Sequence, residues 1–166
     1  MERWRRVDGA GEDEARALLH ACCGSERWVE GMLARRPYGS RAGAEGAARD
    51  VLSALSREDW LEAFSHHPKI GDIDSLRHRF PATHDLSARE QSGIDGASDE
   101  ALMALAKMNR DYEQKFGYIF IVCATGRTAD QMLAMLRARL NNEPAVEIRV
   151  AAQEQARITE LRLLGL

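Results

Sequence analysis

Tyr118-Ile119-Phe120-Ile121-Val122-Cys123-Ala124 has the composition of a buried β-strand, aromatic and β-branched residues with no charge among them. A strand needs a partner, because backbone N–H and C=O groups left unpaired away from water are costly. No second convincing strand occurs in the chain. The run is therefore expected to be an extended buried segment, or the start of a helix, inside an all-α protein. If it is extended, its backbone groups are available to a ligand rich in amides.

The flanking sequence follows the helical period. Before the run, Ser98 can cap a helix reaching Phe116, with Asp99 and Glu100 at the positive end of its dipole. Leu102, Leu105, Met108, Asn109, Tyr112 and Phe116 share one face of it, and Gly117 ends it. After the run, Thr128 can cap a helix with Met132, Leu133, Leu136 and Leu140 inward. Pro144 can open a last helix to about Leu163, with Ile148, Ala151, Ala152, Gln155, Ile158, Leu161 and Arg162 near one stripe.

Toward the N-terminus, Ala15, Leu18, Leu19 and Cys22 fall at i, i+3, i+4 and i+7, with Gly24 as the stop. Ser25 can cap a helix carrying Trp28, Val29, Met32 and Leu33, and Ala44, Ala47, Ala48, Val51, Leu52 and Leu55 mark another. Ser56-Arg57-Glu58-Asp59 reads as a capping box leading into Trp60, Leu61 and Phe64. Residues 69–86 read as irregular, with a short turn around Ser75 to His78, and Ser87 can cap a short helix holding Glu90 and Gln91. The expectation is a single domain over residues 1–166, an all-α bundle of about eight helices with a short extended buried segment near 118–124.

The 166 residues are 45% hydrophobic and 30% charged, as in an ordinary globular protein large enough to bury a core. A net charge of -3 argues against nucleic acid and against an anionic membrane surface. No apolar run approaches the roughly 20 residues that span a bilayer. The basic start Met1-Glu2-Arg3-Trp4-Arg5-Arg6 has no apolar stretch behind it and does not read as a signal peptide. Cys22, Cys23 and Cys123 are odd in number and form no CxxC pair, so they read as reduced thiols and point to the cytoplasm.

Chemistry concentrates in Phe64-Ser65-His66-His67-Pro68-Lys69-Ile70-Gly71-Asp72. Proline restricts the residue before it to extended backbone, so His67 is expected to leave the helix. If the helix ends near Ser65, its partial negative charge favours protonated imidazoles, a setting for an acid or base near neutral pH. A helix stop with two surface histidines is the plainer reading. Glu90, near a helix N-terminus, is favoured as a carboxylate, which could orient an imidazole and raise its pKa. Arg162 can hold a carboxylate or oxyanion by two parallel bonds. Taken singly, each of these is as well explained by structure.

Together the motifs resemble a family. Phe64-x-x-His67-Pro68-x-Ile70-Gly71, Ser87-x-x-Glu90-Gln91, Asn109-x-x-Tyr112-x-x-Lys115-Phe116-Gly117-Tyr118-x-Phe120 and Ile158-Thr159-Glu160-Leu161-Arg162-Leu163 look like the OHCU decarboxylases, from about residue 8 to the chain's end. OHCU is 2-oxo-4-hydroxy-4-carboxy-5-ureidoimidazoline, an intermediate of urate breakdown. The resemblance implies an all-helical homodimer without metal or organic cofactor that converts this small molecule to (S)-allantoin and carbon dioxide. By position it implies His67 as the catalytic histidine, Glu90 as its partner and Arg162 as the substrate-binding arginine. It implies Pro68, Ser87 and Gln91 as ligand contacts, and the backbone of Phe120, Ile121, Val122 and Cys123 as the holder of the ureido and ring amides. Arg127 is a second arginine candidate, and His66 stands where the motif takes a smaller residue. The Trp28 or Met132 helix is a candidate for the dimer's apolar patch.

Two other classes fit parts of the chain. A metal-dependent hydrolase could draw on His66, His67, Asp72, Asp74, His78 and His84, although their spacing matches no zinc pattern. A non-catalytic helical interaction module would use the polar stripe residues as core or interface groups.

Overall fold

The computed structural model of the chain describes residues 1–68 and 98–165. These residues form eight helices and no strand: α1 Arg3–Gly9, α2 Glu12–His20, α3 Glu26–Leu33, α4 Arg41–Ser53, α5 Arg57–Ser65, α6 Asp99–Phe116, α7 Ala129–Leu140 and α8 Pro144–Leu164. The all-α expectation holds. The apolar run is neither a strand nor the start of a helix, since residues 119–124 belong to no element. The expected turn near Ser75 and the short helix after Ser87 lie outside the described residues. No helix among the described residues is long and apolar enough to cross a membrane.

The chain divides into two compact units, Met1–His67 with Ile148–Leu166, and Pro68–Glu147. In the first, α2 packs on α1 and α3, and α3 packs on α4 and α5. Its core gathers Trp4, Val7, Leu19, Trp28, Val29, Met32, Leu52 and Leu163. Local chemistry starts these helices. Ser25 Oγ accepts from Trp28 N, Ser40 Oγ from Gly43 N, and Ser56 and Asp59 form the expected reciprocal capping box.

The sequence reading holds no helix at α1, which is seven residues long and has no side-chain cap. Tertiary burial of Trp4 and Val7 secures it instead. Asp8 in this helix accepts from the backbone N–H of Tyr38 at 2.9 Å and of Gly39 at 3.0 Å, tying down the loop after α3. A second correction concerns α2, which ends at His20 rather than at Gly24.

In the second unit α6 packs on α7. Ser98 caps α6 and Thr128 with Gln131 forms a capping box on α7. Gly117 ends α6 at φ +83, a left-handed conformation that glycine adopts without steric cost. Lys115 Nζ donates to the carbonyls of Leu140 and Asn142, closing the far end of α7. Trp28 and Met132 themselves lie in the interior. The three cysteines are buried, Cys123 as expected.

Candidate functional site

His67 is set by the end of α5. The last turn tightens as His66 N donates to Ala63 O at 3.3 Å and His67 N to Phe64 O at 3.2 Å. Pro68 follows, and its missing N–H cannot continue the ladder. His66 is exposed and edge-on to the His20 ring, with centroids 4.8 Å apart. It lies over Gly24, where a Cβ would come within 2.4 Å of the His66 ring. That close approach, not a helix stop, is what requires a glycine at position 24.

His67 turns the other way and is half-buried. Its Nε2 lies 2.6 Å from Gln155 Oε1 on α8. Gln155 Nε2 donates to Thr159 Oγ1 at 3.3 Å, and Thr159 Oγ1 donates to the backbone O of Gln155 at 2.8 Å. Gln155 and Thr159 are fully buried, and burial pushes the Cys23 thiol above its ordinary pKa. Burial pushes the His67 imidazole below its ordinary value. The Gln155 hydrogen bond opposes this, and the positive fields of Arg162 and His66 add to it. This corrects the expectation that the end of α5 favours imidazolium. The helix does end at Ser65, but the largest influence on the ring is desolvation, which lowers its pKa.

Arg162 stands on the same helix face, as Gln155, Thr159 and Arg162 fall at i, i+4 and i+7 of α8. It is exposed rather than set in an apolar stripe, with Nη1 3.4 Å from the carbonyls of Ala21 and Cys22 just beyond α2. Those carbonyls belong to the unpaired end of a helix and suit a cation. The inward stripe of α8 is Ala151, Gln155, Thr159 and Leu163, and Ile158 and Leu161 are half-buried. The first unit thus brings His67 and Arg162 together, with Gln155 and Thr159 between sequence positions that the motifs single out. Such a group can hold an anion beside a neutral imidazole.

The other candidates fall elsewhere. Phe120, Ile121, Val122 and Cys123 belong to the second unit, with Ile121 and Cys123 buried and Phe120 and Val122 half-buried. The Ile121 carbonyl accepts from Arg139 Nη1 at 2.7 Å, one of the two bonds it can take. Arg139 is itself buried. It pairs with Glu147 at 2.6 Å and lies over the Phe120 ring at 4.4 Å. Tyr112 donates to the same Glu147 carboxylate, and burial pushes its phenol far above the ordinary range. Arg127 is half-buried in this unit, against Met135 Sδ. Pro68 is exposed.

Glu90, Ser87 and Gln91 lie outside the described residues, as do Asp72, Asp74, His78 and His84 of the metal reading. Among the described residues no group of three or more His, Cys, Asp or Glu is arranged to hold a metal ion. Sequence reading placed Gln155 on a stripe and Thr159 in a motif without giving either a role, and passed over Arg139 and Glu147. The signal for the first pair was their spacing of four on the helix that carries Arg162.

Comparison with known proteins adds an independent line. The family described as OHCU decarboxylase matches residues 8–164. The uric acid degradation bifunctional protein TTL of Arabidopsis thaliana is 40% identical over 157 residues, which cover 94% of this chain and 47% of that relative. The chain therefore spans about half the length of the plant protein. The 2-oxo-4-hydroxy-4-carboxy-5-ureidoimidazoline decarboxylase of Haloferax volcanii is 27% identical over 139 residues, covering 82% of this chain and 79% of the relative. A crystal structure of OHCU decarboxylase in the presence of (S)-allantoin superposes with a TM-score of 0.70 at 38% identity, over 93% of this chain and 96% of that one.

Proposed function

This chain belongs to the OHCU decarboxylase family, and we propose that it is a carboxy-lyase converting OHCU to (S)-allantoin and carbon dioxide. The observation that carries the reading is His67, a half-buried imidazole favoured as the neutral base, beside the Arg162 guanidinium. In the reaction the bond from the ring carbon to the carboxylate breaks and carbon dioxide leaves. The electron pair enters the ring and is taken up by the adjacent imine, so the substrate serves as its own electron sink. The hydroxyl loses its proton as that carbon becomes a carbonyl. One proton, supplied by solvent in place of the departing carbon dioxide, is added at the former imine nitrogen, and one is added at the neighbouring ureido-bearing carbon, from one face only, which fixes the stereocentre.

His67 is the group that moves these protons, and its neutral form suits it to accept the first. Arg162 binds the anionic substrate and holds one pose. Glu90 as the orienting carboxylate, Pro68, Ser87 and Gln91 as ligand contacts, and the backbone of Phe120 to Cys123 as a holder of amides enter this reading on their match to the family's motifs. A cytoplasmic homodimer is part of the same reading, and sedimentation of the purified chain tests the dimer. With OHCU generated in place from urate, the wild-type chain should release one carbon dioxide per OHCU consumed. His67→Asn should lower that rate by about 100-fold or more with the helical spectrum intact, the scale of a lost acid–base group. Near-normal turnover in the variant removes His67 from the mechanism.

A further inference from the structure

The proton on His67 can be assigned by counting hydrogens along the Gln155–Thr159 chain. Thr159 has a single hydroxyl hydrogen. Its Oγ1 lies 2.8 Å from the backbone O of Gln155, which can only accept, so the hydrogen is used there. What remains on Oγ1 is lone pairs. The Gln155 side chain reaches that oxygen at 3.3 Å, and two acceptors do not bond, so the amide NH2 must face Thr159. The amide oxygen therefore faces His67, 2.6 Å from Nε2. Both residues are fully buried, which leaves no room for solvent to supply a different donor. A flipped amide would need a second hydrogen on Thr159.

We infer that Gln155 and Thr159 act as positioning residues that lock His67 as the Nε2–H tautomer, taking over the orienting role that the motif match gives Glu90 and leaving Nδ1 as the basic nitrogen that meets the substrate. This rests on the assignment of His67 as the proton-transfer group. Among the described residues Nε2 is bonded to Gln155 and Nδ1 has no hydrogen-bond partner. The neutral ring that a single N–H requires is the form that burial favours. When Nδ1 takes the hydroxyl proton of the substrate, the ring becomes imidazolium. Its Nε2–H stays on Gln155, and the proton gained at Nδ1 is the one later given to carbon. No bond of the Gln155–Thr159 chain has to change during the cycle, so the relay costs no reorganisation.

The test is long-range ¹H–¹⁵N correlation spectroscopy of ¹⁵N-histidine-labelled protein at a pH well above the ordinary histidine value of 6.5. The His67 resonances are identified by their loss in His67→Asn. The expected pattern is an unprotonated Nδ1 and a protonated Nε2. Thr159→Val keeps the side chain's shape but frees the amide to turn. It should mix the two tautomers and lower kcat about tenfold, while Thr159→Ser should restore both. KM should stay within about twofold, because the chain acts on the base rather than on the substrate.

A protonated Nδ1 in the wild-type protein overturns the inference without need of any variant, and so does a tautomer unaltered in both Thr159→Val and Gln155→Leu. Turnover with a protonated Nδ1 overturns this inference alone. An Nε2–H tautomer with no turnover of OHCU overturns the decarboxylase reading, and the role given to Nδ1 goes with it.

Discussion

At His67 two local effects oppose one another. The C-terminal end of α5 favours imidazolium, whereas burial favours the neutral ring, with Arg162 and His66 pushing the same way. Burial leads, so the free enzyme holds the base form through neutral pH. The acid limb of kcat/KM, which reports the free enzyme, should therefore lie below pH 6.5, with a plateau above it. A rate profile that is still rising well above that value contradicts the neutral-base assignment. His67 was legible from sequence because Pro68 forces it off the helix, a constraint one residue away. The direction of its pKa was not, because its hydrogen-bond partner lies 88 residues later on another helix. Gly24 was misread for the same reason, since what it must avoid is the distant His66 ring.

The elements were legible where their ends are made locally. Ser25, Ser56, Ser98 and Thr128 cap the helices they were expected to cap, since a side chain and a backbone N–H three residues on decide the matter. The short α1 escaped because only tertiary burial secures it. The apolar run at 118–124 was rightly kept out of the strands for want of a partner. What occupies its backbone was hidden, because Arg139 reads as a surface charge until α7 turns it inward. Glu147 is fully buried, and accepts from Arg139, Tyr112 and Asn142. Glu147→Ala strands a buried guanidinium and should cost about 3–5 kcal/mol in urea unfolding. The double replacement Arg139→Leu with Glu147→Leu should cost much less, since it leaves no unpaired charge. Equal losses in the single and double variants would show that packing, not charge pairing, sets the value.

For the whole molecule the same imidazole links stability to pH. Its folded pKa lies below its unfolded value, so as pH falls through 6.5 the unfolded chain takes up the proton first. Stability is then lost with falling pH until the folded pKa is reached. Thermal midpoints should drop on acidification by more in the wild type than in His67→Asn, and an identical drop in both would contradict the linkage. The decarboxylation is tested most directly by circular dichroism of the product, with OHCU generated in place from urate by upstream enzymes. The expected result is rapid appearance of one allantoin enantiomer, the S form, at a rate proportional to the protein added. A slow racemic signal unchanged by the protein would contradict the decarboxylase function.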